Sequence, residues 1–103
     1  MSEFGVYGAE HVGGLGSVVG RCYCGRLHVG SVFLRLNSPA NTLAKVRFVV
    51  TRIEAYGRDL IEIDEGLTAR LHLDGDGWTL VEHGCVLETD DGEDPPPIND
   101  ARA

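Results

Sequence analysis

Residues 67–74 alternate apolar and polar side chains without a break, and this run constrains the fold more than any other feature of the chain. A period of two residues places successive side chains on opposite faces of an extended segment. The apolar face consists of Leu67, Ala69, Leu71 and Leu73. The pattern predicts a half-buried β-strand with its leucine face turned to the core.

The remaining apolar runs are short, and none has the period of a long amphipathic helix. Within one of them, Val32, Leu34 and Leu36 alternate with Phe33 and Arg35, so one face is expected to be buried and the other exposed. Fourteen glycines in 103 residues supply tight turns between such runs. Short strands without helices between them favour an all-β fold, a small closed or nearly closed antiparallel β-barrel of about six to seven strands. The further predicted strands lie at 17–24, 32–36, 46–55, 60–63 and 85–88, and 27–30 is predicted to be a short strand or a turn.

Glycine and charge divide the chain into three parts. Residues 1–14 are predicted to be a flexible N-terminal lead-in, 15–88 the barrel domain, and 89–103 a disordered, acidic, proline-rich tail. The formal charge is −7, yet residues 15–87 contain eight acids and eight bases, so the ends are acidic and the body is neutral. Such a balance is unfavourable for non-specific binding of nucleic acid, which depends on neutralising phosphates.

Three features indicate a cytoplasmic protein with no membrane association. The three cysteines cannot form a closed set of disulfides, and cytosolic thiols stay reduced. No apolar run reaches the length of roughly 18 residues that a membrane span needs. The N-terminus also lacks the charged and then apolar layout of a secretion signal.

Four pieces of the chain keep one order and spacing. They are Gly-Arg-Cys-Tyr-Cys-Gly-Arg-Leu-His-Val-Gly-Ser-Val-Phe-Leu-Arg-Leu at 20–36, Ile-Glu at 53–54, the run from Glu-Gly at 65–66 to Asp-Gly at 74–75, and Glu-His-Gly-Cys-Val-Leu at 82–87. Together these pieces, within residues 12–88, resemble the second domain of elongation factor Tu and related translational GTPases. The resemblance implies the β-barrel of that domain, standing without the GTPase domain.

In that family the barrel forms the pocket for the 3′ terminal adenosine of aminoacyl-tRNA. The resemblance carries this nucleic-acid-binding role to Gly14, Val18, Glu54 and His72. Glu54 matches the glutamate that holds the ribose hydroxyl, whereas His72 stands where the family has a leucine against the adenine. His83 falls at the position of a family arginine near the tRNA 5′ end.

The chemistry of the GTPase is missing from the sequence. There is no Gly-x-x-x-x-Gly-Lys-Ser/Thr loop to cradle phosphates, so neither a bound nucleotide nor any other cofactor is expected. A Cys₃His zinc site could use Cys22, Cys24, His83 and Cys85, but structural zinc sites separate paired ligands by two to four residues rather than one. No residue set supplies a nucleophile, an oriented base and an oxyanion hole, so we expect neither a metal nor an enzyme.

Trp78, the single tryptophan, follows a glycine turn and has two interpretations. It caps one end of the barrel, or it is an exposed anchor for a partner, because tryptophan is enriched at interface hot spots.

The preferred functional hypothesis is a non-enzymatic binding module that docks on a protein partner as an adaptor, inhibitor or immunity-type protein. The acidic ends suit a basic partner, because complementary charge speeds association. The alternative is a binder of RNA ends or of the aminoacyl-tRNA 3′ adenosine, acting in translation or at the ribosome.

Overall fold

The described part of the chain is almost entirely β-strand. A computed structural model describes residues 1–89, which form nine strands and a 3-10 turn at Trp78–Leu80. No helix in these residues is long and apolar enough to cross a membrane. The all-β class predicted from the sequence is confirmed. The strands are β1 (Glu3–Val12), β2 (Leu15–Cys24), β3 (Arg26–His28), β4 (Val32–Asn37), β5 (Leu43–Ala55), β6 (Arg58–Leu60), β7 (Glu62–Asp64), β8 (Thr68–Asp76) and β9 (Val86–Thr89).

Six antiparallel strands close into a barrel. The strand order in the main sheet is β4-β9-β1-β2-β8-β5-β6, and β4 also pairs with β5, which completes the ring. β6 adds a short hairpin to β5, while β3 and β7 form a separate two-stranded sheet. Closure satisfies the backbone groups that an open sheet would leave at its edges. The predicted barrel is therefore confirmed.

The alternating run that predicted β8 behaves as expected. Ala69, Leu71 and Leu73 are buried in the core, and Leu67 packs against it from just before the strand. Arg70 and His72 lie on the outer face, half-buried between neighbouring strands. β8 thus brings its polar side chains to the surface between β2 and β5.

Apolar side chains from eight of the nine described strands form the core, and Leu60 of β6 packs against it. Three fully buried phenylalanines come from three different strands and form the bulk of its centre. The core residues are Phe4, Val6, Val18, Cys22, Leu27, Phe33, Leu36, Val46, Phe48, Val50, Ile53, Ala55, Ile63, Ala69, Leu71, Leu73, Trp78, Cys85 and Leu87.

The predicted flexible lead-in at 1–14 is wrong for most of its length. Residues 3–12 form β1, which pairs with β2 on one side and β9 on the other. Phe4 and Val6 are 0% and 1% exposed, so this strand contributes to the core. The glycines read as a lead-in make the tight turn between β1 and β2, with Gly13 at φ +63°.

The strict alternation predicted for β4 is not kept in the structure. The structure buries Phe33 and Leu36, whereas Val32 and Leu34 are half-buried on the outside. A bulge between Phe33 and Arg35 shifts the pairing with both β5 and β9. One extra residue in a strand reverses the face of every residue that follows it.

The barrel ends one residue later than the predicted boundary at residue 88. Thr89 belongs to β9 and is buried, and its hydroxyl oxygen accepts a hydrogen bond from the backbone N–H of Ser2 at 2.9 Å. The rest of the predicted disordered tail, residues 90–103, lies outside the described residues.

Candidate functional site

Glu54 and His72, which the resemblance placed in one pocket, are in direct contact on the outer face of the barrel. Glu54 lies on β5 and His72 on β8, and the two strands pair antiparallel. The Nε2 nitrogen of His72 lies 2.6 Å from Oε1 of Glu54. Because an ionised carboxylate only accepts hydrogen bonds, Nε2 carries the proton and donates it. A bulge between Val50 and Arg52 sets this register.

Glu54 is held as a carboxylate by two neighbours. The hydrogen bond from His72 lowers the pKa of Glu54, and the positive charge of Arg52 adds to the effect. Nη2 of Arg52 lies 3.1 Å from Oε2, so each carboxylate oxygen already has a partner. Arg52 is itself positioned by Asp59, at 3.0 Å from its Nε. A ligand hydroxyl would have to compete with His72 or Arg52 for this carboxylate.

A shallow depression of about 460 Å³ lies beside this pair. It is formed by the β1–β2 hairpin together with Thr51 and His72, and Glu54 does not line it. Glu10 contributes a carboxylate to its wall, and Val12 and Leu15 form an exposed apolar rim. A wall carboxylate opposes the approach of a phosphate, since like charges repel.

The other residues assigned by resemblance do not join this depression. Val18 is 0% exposed and points into the core. Gly14 lies in the β1–β2 turn, where its carbonyl accepts hydrogen bonds from Gly75 N–H at 2.9 Å and from the indole of Trp78 at 3.0 Å. His83 is exposed between β8 and β9, and its Nδ1 donates to the Tyr7 carbonyl at 2.6 Å. The structure therefore gathers Glu54 and His72 and separates them from His83.

Trp78 closes one end of the barrel, and the alternative of an exposed partner contact is wrong. Its side chain is 5% exposed and packs edge-on against Phe48, with ring centroids 4.8 Å apart. The ring of His11 stacks over it at 5.2 Å. Its indole N–H donates to the Gly14 carbonyl, so both its apolar and its polar parts are used inside the fold.

The cysteines and histidines weighed as a zinc site do not assemble into one. Cys22 and Cys85 are buried, whereas Cys24 is exposed. Burial raises the pKa of the Cys22 and Cys85 thiols, which disfavours the thiolate that metal binding and nucleophilic attack require. Within residues 1–89 no three histidine, cysteine or acidic side chains are grouped to hold a metal ion.

Sequence reasoning missed a second surface, a groove of about 560 Å³ between β4 and β5. We name it the β4–β5 groove. Most of its wall is apolar, and Leu43 leaves 61% of its surface exposed there. The bulge in β4 creates part of this wall, because it turns Leu34 outward. The groove is lined by Leu34, Arg35, Leu43, Ala44, Lys45 and Val46.

Cations rim the β4–β5 groove. Arg35 lies opposite Lys45 in the strand register, and Arg47 follows on the same face of β5, opposite Asp76 of β8. Arg35 is fixed by Nε to Glu88 at 3.3 Å and by Nη2 to the Thr89 carbonyl at 3.1 Å. Lys45 and Arg47 form no ion pair with any other residue of 1–89. The sequence did contain a signal for this surface. In an extended strand, one face would carry Leu43, Lys45 and Arg47.

Comparison with known proteins identifies the fold. No family model and no curated protein sequence matches the chain. Among solved structures, it is similar to the translation elongation factor SelB from Methanococcus maripaludis in its apo form, with a TM-score of 0.71 and 19% sequence identity. The match covers 87% of this chain and 19% of that one, so the chain spans about a fifth of that structure. The likeness shows that this chain has a β fold similar to that of part of that elongation factor.

Proposed function

We propose that this domain is a non-enzymatic binding module that docks on a protein partner through the β4–β5 groove. The observation that carries the proposal is the pairing of an exposed apolar floor with a cationic rim on one face. Burial of the exposed part of Leu43 alone would contribute about 1–2 kcal/mol to docking. A partner segment with an aliphatic side chain between carboxylates has the chemistry that this surface complements.

The fold supports a role beside the translation machinery. The solved structure that this chain resembles is that of a translation elongation factor. A fold hosts many functions, so the choice of partner class rests on the groove and not on that likeness. The acidic ends predict a basic partner, and this stays a prediction. The groove itself favours a partner segment that carries carboxylates.

The absence of an assembled nucleophile in residues 1–89 supports a non-enzymatic role. Ser17 lies opposite His72 in the register of β2 and β8, which is the one arrangement here that approaches a serine–histidine–carboxylate set. Its hydroxyl oxygen, however, accepts a hydrogen bond from Nη1 of Arg70 at 2.9 Å, and the residue is buried. A nucleophile needs a base in contact and an open path for substrate.

Affinity capture with matched variants tests the proposal. The full chain is used as bait in cell lysate, with and without RNase, beside Leu43→Asp and the control Leu15→Asp. Leu15 is as exposed as Leu43 but lies at the end of the β1–β2 hairpin. We expect the wild type and Leu15→Asp to capture a protein that stays bound after RNase treatment. Leu43→Asp should not capture it. Equal capture by Leu43→Asp, with the barrel intact by circular dichroism, would contradict docking at the groove.

Binding of an RNA 3′ end is the second candidate. The contact between Glu54 and His72 favours it, because it brings together two residues that the resemblance assigns to the adenosine pocket. Three features rank it lower: both Glu54 oxygens are engaged, Glu10 adds a carboxylate to the adjoining depression, and Val18 is inside the core.

A further inference from the structure

We propose that the outer face of β1 and β2 is a second docking surface, which takes a proline-rich segment of a protein partner. We name it the tyrosine surface. It carries Tyr7, Arg21, Tyr23, Glu65 and Gly66 around a depression of about 330 Å³. None of these residues lines the β4–β5 groove, so the inference goes beyond the proposed function and does not rest on it.

Two β-bulges bring the two tyrosines to this surface. The register of β1 against β2 shifts once within residues 3–4 and again within 6–8. Tyr23 is the extra residue at the first shift, and Tyr7 is the extra residue at the second. A bulge leaves its extra residue out of the ladder and re-aims its side chain. Tyr7 is 44% exposed and Tyr23 is 50% exposed, and both line the same depression.

Gly5 fixes the position of the Tyr23 ring. A Cβ atom at residue 5 would overlap Cζ, Cε2 and the hydroxyl oxygen of Tyr23. The ring therefore reaches from β2 across β1 and fills the space that a side chain at residue 5 would take. A ring that is already held in place loses little further freedom when a ligand packs on it.

Hydrogen bonds hold the second bulge in the same way. Nδ1 of His83 donates to the Tyr7 carbonyl at 2.6 Å. The N–H of Val6 donates to the Cys85 carbonyl at 2.8 Å, and the N–H of Gly84 donates to the Val6 carbonyl at 2.8 Å. The backbone that carries Tyr7 is thus fixed from the β9 side. Both aromatic side chains stand on a preorganised scaffold.

The spacing of the tyrosines matches a polyproline II helix. Residues 5 and 7 are two positions apart on β1, which is about 7 Å in an extended strand. The Tyr23 ring lies over the first position, and Tyr7 occupies the second. One turn of a polyproline II helix rises about 9 Å, and residues three apart lie on the same face. Aromatic surfaces of this kind bind such helices because prolines pack on the rings.

Arg21 supplies a hydrogen-bond donor between the tyrosines. It is exposed, lies opposite Gly5 in the register, and forms no ion pair with any other residue of 1–89. A polyproline II segment has no internal hydrogen bonds, so its carbonyl groups remain free. Those carbonyl oxygens can accept from the guanidinium of Arg21 and from the tyrosine hydroxyls.

Charge favours a peptide over RNA as the occupant. Glu65 lines the same depression as Arg21, and its carboxylate opposes a phosphate. Within residues 1–89 Glu65 forms no ion pair either. A basic residue beside the prolines would gain this carboxylate as a partner. We therefore expect a segment with prolines three residues apart and an arginine at one end.

A capped synthetic peptide, Arg-Ala-Pro-Pro-Ala-Pro-Pro-Ala, tests the surface in the full chain. Amide chemical shifts of the isotope-labelled protein should change saturably at Gly5, Arg21, Tyr23 and Gly66. The amides of residues 43–46 in the β4–β5 groove should keep their positions. The same peptide with alanine in place of every proline should bind about tenfold more weakly, because it does not hold the polyproline II conformation.

Matched variants identify the contacts. Tyr7→Ala and Arg21→Gln should each weaken the affinity for the proline peptide about tenfold. Gly5→Ala keeps every side chain of the surface but displaces the ring of Tyr23, so it should weaken the affinity as well. Tyr56→Ala removes a tyrosine that is 78% exposed outside this surface and should leave the affinity unchanged.

A fourth variant tests the charge contact. Glu65→Gln should weaken the binding of the arginine peptide and leave unchanged the binding of a peptide with alanine in place of the arginine. Equal loss for both peptides would show that Glu65 does not meet the basic residue, which would overturn the assignment of the basic end.

Several results would overturn the inference as a whole. They are an absence of saturable shifts, shifts centred outside the tyrosine surface, equal affinity for the proline and alanine peptides, and unchanged affinity in Tyr7→Ala and Arg21→Gln. Tighter binding of a short oligouridylate at the same amides would also overturn it, because the occupant would then be RNA.

The groove variants separate this inference from the proposed function. Leu43→Ala should leave the affinity for the proline peptide unchanged, since Leu43 lies in the other surface. If Leu43→Asp loses the captured partner while the peptide does not bind, the proposed function stands and the inference fails. If the peptide binds as expected while Leu43→Asp still captures the partner, docking at the groove fails instead.

Discussion

At Glu54, two neighbours favour the ionised carboxylate, and this has a consequence for stability. The hydrogen bond from His72 and then the charge of Arg52 lower its pKa in the folded chain. A carboxyl group with a lowered folded pKa contributes stability above its unfolded pKa. That contribution is lost as the pH falls through the folded pKa. The Glu54–His72 contact should therefore be visible in acid unfolding.

We predict that in Glu54→Gln the free energy of unfolding falls less steeply as the pH is lowered than it does in the wild type. Urea unfolding between pH 7 and pH 3 should show the wild type losing more stability than the variant below about pH 5, where an unperturbed glutamate begins to protonate. Glu62→Gln, on β7 and exposed, is the matched control and should follow the wild type. A Glu54→Gln curve that runs parallel to the wild type throughout would show that the contact does not form in solution.

At the scale of the strand, β1 is the element on which sequence and structure disagree most. Its burial rests on Phe4 and Val6, and the bulge that follows them shifts the register at Tyr7. The remaining half of the strand, from Ala9 to Val12, is exposed. A strand that alternates over only its first few residues is hard to tell from a polar lead-in, so the adjacent glycines dominated the prediction.

The prediction at this scale is that β1 is required for the fold. Phe4→Ala should lower the free energy of unfolding by about 3–5 kcal/mol, the usual cost of removing a buried phenyl ring. Tyr7→Ala, in the same strand but 44% exposed, should change it much less. Chemical denaturation of the two variants measures the difference. If the two variants prove equally stable, Phe4 is not part of the core and the lead-in interpretation returns.

β8 is the element that the sequence predicted most completely. It keeps a strict period of two over its core-facing residues, so this pattern alone predicted both the strand and its two faces. In β4 the bulge after Phe33 breaks that period, and a bulge depends on the partner strands. The burial of Phe33 and the outward, half-buried position of Leu34 therefore could not be predicted from residues 32–37 by themselves.

The two candidate surfaces could be predicted from local sequence patterns even less well than the strands. Glu54 and His72 are 18 positions apart, and their contact depends on the pairing of β5 with β8. Before the structure, only the resemblance placed the two residues in one pocket. The β4–β5 groove depends on a strand that begins at Leu43, earlier than the apolar run that starts at Val46. Leu43 and Lys45 therefore lay outside the predicted strand at 46–55. Cross-strand surfaces need a register, and local patterns do not contain it.

At the scale of the whole molecule, the barrel presents two outer faces of different chemistry. Between β2, β8 and β5 the charges compensate one another, since Glu54 meets both His72 and Arg52. Around the β4–β5 groove, cations rim an apolar floor. Phosphate binding needs uncompensated positive charge, whereas protein docking gains most from apolar burial with complementary charge at the rim. The Glu54 face therefore attracts phosphate weakly, whereas the groove has both features of a protein-docking surface. RNA and protein remain the two classes of ligand to compare.

A short RNA ending in a free 3′ adenosine separates these classes. If the Glu54 face bound the terminal ribose, Glu54→Ala would remove a charged acceptor and weaken binding by roughly tenfold or more. We expect instead weak binding that disappears as the salt concentration rises, because the body is neutral and both Glu54 oxygens are engaged. Fluorescence anisotropy from low to physiological salt measures this, with the charge-neutral Leu43→Ala as the variant that should leave RNA binding unchanged. Saturable binding at physiological salt that Glu54→Ala abolishes in a folded protein would move the function from the groove to the Glu54 face. The proposed ligand would then be an RNA 3′ end and not a protein partner.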